Sequence, residues 1–395
     1  MALSGRDIIC LSTHFWDERW FRKQEFMSRF GRSNRVLFVE PSFSMARSAE
    51  EHLSDVATNR FLVPQVERRE DSIYLLKPPR GLPKWGDPRV ERLNYRWYGR
   101  VVGRAAERLG FRDAILWVYR PAFLSGIDSI PHERLVFDLV DDLAAYGGED
   151  NAVADYVEGL VDGLVRRADL LVVTAKTLEE RYGRHARAVE QVANGFDGDL
   201  YSPERALDPP AEMAGVRRPV LGFIGTLFNF LDFELMEEVA RTHHDKSVVL
   251  VGPVEANAGG AVERLKAIPN VIHMGRQPQS SMPAWVSSFD VCLNPFKRSR
   301  VSDSVNPLKV YEYLAAGKPV VSTPMEALRR EDAGRHVAFA DGAAEFSREV
   351  ERCLEPQVQA ATAERREAAL PYSWERLFER LEHACEEALA RKVAA

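Results

Sequence analysis

Twice along the chain, short apolar and β-branched runs alternate with amphipathic stretches, and this doubled rhythm restricts the fold more than any other feature. In the first half the runs are DIICLST (7–13), RVLFVEP (35–41), SIYLLKP (72–78), AILWVYRP (114–121), RLVFDLV (134–140) and DLLVVTA (169–175). Near-continuous apolar runs suit strands covered on both faces, and the helical patterns between them suit parallel crossovers. The second half begins again with PVLGFIGTL (219–227), SVVLVGPV (247–254), NVIHMGR (270–276), FDVCLNPF (289–296) and KPVVSTP (318–324). Between the halves lies ANGFDGDLYSPERALDPPAEMAGVRRP, rich in Gly, Pro and Asp, where a linker is expected. The class is α/β, with two Rossmann-like domains facing each other across a cleft. A length of 395 residues is long for one core and suits two. The expected domains are 1–200 and 201–372; residues 373–395 form an amphipathic closing helix with Trp374, Leu377, Phe378 and Leu381 on one side.

Composition excludes several classes. The formal net charge of -6 argues against a general nucleic-acid binder, which needs a basic surface to displace counterions. No apolar run approaches the roughly eighteen residues of a membrane span, and MALSGRDIIC lacks a charged-then-apolar leader, so a cytoplasmic location is expected. Cys10, Cys292, Cys353 and Cys385 are far apart, without a CxxC pair or a histidine at ligand spacing. They read as buried, inert thiols, not as a disulfide framework or a zinc site.

The chemistry concentrates in NPLKVYEYLAAGKPVVSTP (306–324). Asn306 suits an N-cap and Pro307 a first helical position, while Gly317 and Pro319 stop the helix. A helix start offers free backbone N–H groups and the positive dipole end, and Lys309 adds a full charge, which together make a phosphate site. Glu312 is three residues on, about 4.5 Å along the axis, where a carboxylate can accept hydrogen bonds from ribose hydroxyls. Phosphate at the cation and ribose at the carboxylate describe a nucleotide. The competing explanation is a surface i,i+3 ion pair. Position favours the nucleotide, because the helix follows a loop at the carboxyl end of FDVCLNPF, where open α/β sheets bind ligands. That loop carries Lys297, Arg298 and Arg300, which a solvated charge run explains equally well. In GFIGTLFNFLD, Gly222 and Gly225 permit close backbone approach, a weak signal alone.

The long stretch from NVIHMGRQPQ to KPVVSTP resembles the donor-binding half of GT-B glycosyltransferases, especially bacterial enzymes of cell-surface polysaccharides of the teichuronic-acid and xanthan glucuronosyltransferase types. VFDLVDD, RADLLVVTAKTLEERY and VEQVANGFDGDLYSP resemble, in order, the end of that family's acceptor domain, and SWERLFERLEHACEEAL its closing helix, which returns to the first domain. Residues 42–112 match least. The resemblance implies a GT-B fold, donor ribose at Glu312, diphosphate at Lys309 and the backbone from Asn306 to Leu308, and Gly275, Arg276 and Gln277 near the base. Two positions depart from the family pattern. Ser304 stands where many retaining members have a glutamate, and Gly225-Thr226-Leu227 replaces Gly-Arg-Leu, so the resemblance leaves retention or inversion open.

An inverting transfer needs a general base. Asp141 and Asp142, at the carboxyl end of RLVFDLV, can raise one another's pKa into a useful range, and neither is preferred over the other. Asp138 alternates with them and can equally point inward. His14 and Trp16, in STHFWDERW, are candidate acceptor-lining residues, with a purely structural histidine as the plain alternative. No metal is assigned, the DGD at 197–199 falling in the linker, and no cofactor is expected beyond the nucleotide-sugar co-substrate.

From Arg60 to Arg120 there are fourteen Lys/Arg against seven Asp/Glu. Arg92, Arg96, Arg100, Arg104 and Arg108 recur every four residues, interleaved with Trp85, Tyr95, Trp97 and Tyr98. On a helix this is a basic stripe beside an apolar one, suited to an anionic membrane surface or a lipid diphosphate, or else a solvated face. The expected function is transfer of a sugar from a nucleoside-diphosphate sugar, UDP by family resemblance with GDP and dTDP open, to a hydroxyl of a growing or lipid-linked glycan. A sugar-nucleotide 2-epimerase and a non-catalytic sugar-nucleotide binder are the alternatives.

Overall fold

The computed structural model describes residues 3–18, 20–41, 63–79, 87–147, 151–205 and 207–390. It divides into two compact units: Met1–Thr174, Leu178–Val192 and Phe378–Ala395 form the first, and Ala175–Thr177 with Ala193–Leu377 the second. The main boundary therefore falls at Val192/Ala193, earlier than the expected 200/201. The reason is local. Asn194 and Phe196, read as linker, are hydrogen-bonded within the second unit, Phe196 pairing with Ser373.

The sheet of the first unit contains β1 (Asp7–Leu11), β2 (Arg35–Val39), β3 (Gln65–Arg68), β4 (Ile73–Lys77), β5 (Ile115–Val118), β6 (Arg134–Leu139), β7 (Leu170–Val173) and β8 (Val189–Gln191). Their order is β3-β4-β2-β1-β5-β6-β7-β8. Every pairing is parallel except β3 with β4. The six runs read from the sequence are all strands. β3 and β8 were missed because their exposed or half-buried residues carry no apolar run. The chain leaves β1 toward β2 on one side and later fills β5 to β8 on the other, so the sheet reverses its order between β1 and β5.

The second unit holds β9 (Val220–Ile224), β10 (Ser247–Val251), β11 (Val271–His273), β12 (Val291–Asn294), β13 (Val320–Ser322) and β14 (Val337–Phe339), ordered β11-β10-β9-β12-β13-β14 and parallel throughout. Its order reverses between β9 and β12. β14 was missed; it is three residues long.

The closing helix Trp374–Ala390 begins in the second unit and ends in the first, as the family resemblance implies. Trp374, Leu377 and Leu381 are buried, the Phe378 ring lies 4.8 Å from that of Phe30, and Arg134 donates to the Leu389 carbonyl. All four cysteines are free and buried. Among the described residues no helix is long and apolar enough to cross a membrane.

The helix Pro88–Arg108 modifies one expectation. Its apolar stripe is core, since Tyr95, Tyr98, Val102, Ala105 and Ala106 are buried against the sheet. Gly99 and Gly103 allow this approach: a Cβ on either would come within about 2 Å of the carbonyl of Gly126 or Ser129. Arg92, Arg96, Arg100, Arg104 and Arg108 are all exposed, together with Leu93 (57%) and Trp97 (38%). Trp85 and Arg60 lie outside the described residues.

In the second sheet, Gly222 of β9 leaves room for the buried ring of Phe289, which a Cβ would meet at 2.0 Å. Gly222→Ala should therefore overpack a fully enclosed layer and cost about 1–3 kcal/mol. The check is the urea midpoint; one equal to the parent's would contradict this packing.

Candidate functional site

The motif at 306–324 folds into the helix Leu308–Ala315, ended at Ala316 by Gly317 in the left-handed region (φ 77°). The sequence places the cap at Asn306, but the helix starts one residue later, with Pro307 at the cap position and no side-chain cap. Asn306 is used elsewhere. Its Oδ1 accepts from the Asn194 backbone N–H at 3.1 Å, and its carbonyl accepts from Asn194 Nδ2 at 2.9 Å. Its Nδ2 donates to the Tyr311 hydroxyl at 2.9 Å. A buried amide so occupied does not cap the backbone N–H groups of the helix.

The two tyrosines of VYEYL anchor the helix from its inner side. Tyr313 is fully buried and its hydroxyl accepts from the Ile224 N–H at 2.9 Å, at the end of β9. Tyr311 stacks on Tyr372 with ring centroids 4.2 Å apart. These anchors set the opposite face. Lys309 is half-buried, with Nζ 4.6 Å from the centroid of Phe223 in β9 and 4.8 Å from that of Phe296 just beyond β12. Its ammonium group thus rests on aromatic faces at the carboxyl ends of the two strands between which the sheet reverses, the position where open α/β sheets hold ligands. Glu312 is only 4% exposed, so this pair is not a solvated surface feature. Leu308 is half-buried in the first turn.

A row of glycines lies beside the ammonium group. Gly225 (φ 130°) follows β9, and a Cβ there would stand 3.2 Å from Lys309 Cε. Gly252 (φ 148°) follows β10 and approaches so closely that a Cβ would lie 1.9 Å from the Gly225 carbonyl oxygen. The Gly252 N–H donates to the carbonyl of Gly275 (φ 67°) at 2.8 Å. The structure therefore brings Gly225, Gly275 and Lys309 to one end of the sheet. Gly252 was missed, although the sequence carries a signal for it: three successive runs each give way to glycine.

The remaining donor candidates are less convergent. Thr226 is half-buried, Arg276 is exposed, and Gln277 donates to the Met274 carbonyl at 3.0 Å. The expected loop after β12 contains a short helix, Arg300–Ser304, whose capping box joins Ser299 and Ser302. Arg298 is paired with Asp341, and Ser304 is buried, donating to the Val301 carbonyl at 2.9 Å. Asp197 accepts from the Leu200 N–H in a turn.

In the first unit the structure separates the acidic candidates. Asp138 is fully buried and grips Arg22, whose Nε lies 3.0 Å from both carboxylate oxygens. Asp142 is buried and paired with Arg181 at 2.9 Å, and Arg181 also binds Glu158. Such carboxylates are structural, because breaking either pair strands a buried charge. Asp141 is half-buried and makes a side-chain hydrogen bond with Tyr146; burial pushes its carboxyl up and nearby Lys23 opposes the rise. Trp16 is core, its ring edge-on to Phe38 at 5.0 Å and its backbone N–H donating to the Glu40 carboxylate, so it does not line a surface. His14 is half-buried beside Thr13 Oγ1. Burial first, then Lys23, lowers its imidazole to about 4, which leaves it neutral near pH 7.

Comparison with known proteins agrees with this arrangement. Residues 218–356 match the family model described as glycosyl transferases group 1. A Bacillus subtilis (strain 168) protein named as a teichuronic acid biosynthesis glycosyltransferase, TuaH, is 30% identical over 219 residues, 53% of this chain and 55% of that protein. The chain thus spans about half the length of the curated relative it matches. In fold, it is similar to the E. coli trehalose-6-phosphate protein bound with UDP-2-fluoro glucose, with TM-score 0.71 at 11% identity over 98% of each chain. It is likewise similar to HepE of Anabaena in complex with UDP and glucose, with TM-score 0.67 at 14% identity over 97% of this chain and 100% of that one. The chain has the GT-B fold, and within it residues 218–356 are similar to the group 1 glycosyl transferases.

Proposed function

We propose that the protein transfers a sugar from a UDP-linked donor to a hydroxyl of a growing or lipid-linked surface glycan, without a resident cofactor. The observation that carries this reading is Lys309 on its two aromatic faces where β9 and β12 diverge, with buried Glu312 one turn further along. In the reading, the ammonium group and the backbone N–H groups at the start of the helix hold the diphosphate and stabilise it as it leaves, a charge-developing role that preorganised donors fill well. Glu312 accepts from the ribose. The glycine row gives backbone access for the base near Gly275. The UDP complexes of HepE and of the E. coli trehalose-6-phosphate protein, which share the fold, support a uridine nucleotide. The name of TuaH supports a surface polysaccharide as product.

The first unit takes the acceptor, with Asp141 as base and His14 beside it. The exposed arginines of Pro88–Arg108, with Leu93 and Trp97, rest against the anionic cytoplasmic face of a membrane when the acceptor is lipid-linked.

Calorimetric titration of UDP, GDP and dTDP checks the donor site. UDP should bind selectively, and Lys309→Ala should weaken it about 10- to 100-fold, the range of a lost charge-assisted hydrogen bond. Glu312→Ala should weaken UDP more than dTDP, which lacks the ribose 2′ hydroxyl. Parent-like UDP affinity in both variants would remove the assignment.

Co-sedimentation with vesicles checks the membrane contact. Vesicles rich in phosphatidylglycerol should retain the protein at low salt and release it as salt rises, whereas phosphatidylcholine vesicles should not retain it. Replacing Arg96, Arg100 and Arg104 together by Glu should abolish retention; undiminished retention would rule out this helix as the contact.

A further inference from the structure

The second unit carries another cationic surface, at the end of its sheet away from Lys309. A cavity of about 380 Å³ opens at the amino-terminal ends of β9, β10 and β11, and Arg217, Arg241, His244, Lys246, Ser247 and Asn270 supply its polar lining. Ser247 is the first residue of β10 and pairs in register with Val220, the first of β9, while Asn270 precedes β11. Lys309 stands beside Gly225, just past the other end of β9, and the five residue steps from Val220 to Gly225 span roughly 16 Å. The cavity is therefore no part of the donor site. Its volume suits a small ligand, and among the described residues no carboxylate lines it. Two of its basic side chains are compensated and two are not. Arg241 pairs with Glu237 at 3.1 Å, and the buried Lys246 with Asp245 at 3.1 Å and Glu351 at 2.9 Å. The side chains of Arg217 and His244 are exposed and have no hydrogen-bond or ion-pair partner among the described residues, whereas Arg218, next in the chain, pairs with Asp290. The Ser247 hydroxyl is likewise unused among the described residues, although Ser247 is only 5% exposed. A buried hydroxyl without a partner is costly, and one that lines a cavity is placed to serve what enters it.

Cations also gather at helix C-termini, and Arg241 and His244 stand at the end of the helix Phe233–Thr242. That accounts for Arg241. It does not account for Arg217, which belongs to no helix, or for the idle Ser247 hydroxyl. The carbonyls that would repel an anion at such an end are also occupied, because Asn270 Nδ2 donates to those of Ala240, His243 and Lys246 at 3.0, 3.0 and 2.9 Å. What remains for a ligand is a guanidinium group, an imidazole ring and a hydroxyl, brought from three separate segments. We propose that this cavity is a binding site for a phosphoryl group, carried by inorganic phosphate or by a small phosphorylated sugar. The fork of Arg217 grips two phosphoryl oxygens at once, and the Ser247 hydroxyl and a His244 ring N–H donate to the others. Donors converging from three directions match a tetrahedral anion better than a planar carboxylate, which the Arg217 fork alone would satisfy. No residue of the donor site takes part, so this binding stands apart from the transferase reading.

The ring signals of His244, followed by NMR in a phosphate-free buffer, test the site. They are assigned among the nine histidines by their disappearance in His244→Gln. Inorganic phosphate should move them saturably, and sodium acetate of equal ionic strength should not. Arg217→Ala should weaken the phosphate titration about 10- to 100-fold and Ser247→Ala about tenfold, the range of hydrogen bonds to a charged group. Both variants should unfold at the parent's urea midpoint, since Arg217 is exposed and the Ser247 hydroxyl holds nothing else; a lowered midpoint in Ser247→Ala would give that hydroxyl a structural role and remove it from the site. Glucose 6-phosphate in place of inorganic phosphate separates the two sources. Tighter binding than phosphate assigns the site to a phosphorylated sugar, and equal or weaker binding assigns it to the free anion. His244 signals unmoved by phosphate overturn the proposal. So does an acetate titration equal to the phosphate one, or a phosphate affinity that survives in Arg217→Ala and Ser247→Ala alike.

Discussion

Two asparagine side chains decide where the catalytic-looking cation of this protein stands. Asn194 and Asn306 exchange two hydrogen bonds, and the remaining Asn306 donor is used by Tyr311. Because Asn306 and Tyr311 are buried, loss of one partner would strand a polar atom at about 1–3 kcal/mol. The bracket fixes the entry to Leu308–Ala315, Tyr311 and Tyr313 fix its roll, and Lys309 and Glu312 are carried to the end of the sheet as a consequence. The placement of Lys309 and Glu312 is thus a product of packing on the inner face of the helix, not of the two polar residues themselves.

Both units use the same physical device with different partners. Each parallel sheet reverses its strand order once, between β1 and β5 or between β9 and β12, and each reversal carries a lysine over aromatic rings, Lys23 over Tyr119 and Lys309 over Phe223 and Phe296. The aromatic faces attract each ammonium group through the ring quadrupole. What differs is the electrostatic company. In the first unit the neighbouring Arg22 holds the buried Asp138 through both carboxylate oxygens. In the second, the glycine row opens backbone beside Lys309, giving a surface suited to a large anion.

Much of this was legible in the residues. The eleven apolar runs are all strands, because a strand buried on both faces needs an apolar run whatever its neighbours are. β3, β8 and β14 escaped, since edge or short strands need no such run. Lys309 and Glu312 were legible because helix-start chemistry is local. Asp141 and Asp142 were not separable, as nothing in DLVDD says that Arg181, thirty-nine residues further along, neutralises only the second. Trp16 looked like an acceptor contact and is core, and the apolar stripe of Pro88–Arg108 faces inward for the same reason, that aromatic rings near a core are worth more inside it.

The sequence by itself determined the class of fold, the doubling of the sheet and the helix that bears the candidate donor site, since each depends on contacts between residues close in the chain or on the simple need to bury apolar runs. Tertiary structure alone decided that Asn306 is held by Asn194 and Tyr311 instead of capping a helix, that Asp142 is an ion-pair partner while Asp141 bonds to Tyr146, and that Lys23 is buried over Tyr119. Those outcomes are set by pairings between distant segments, in which a polar group takes whichever partner the packed chain brings within hydrogen-bond reach.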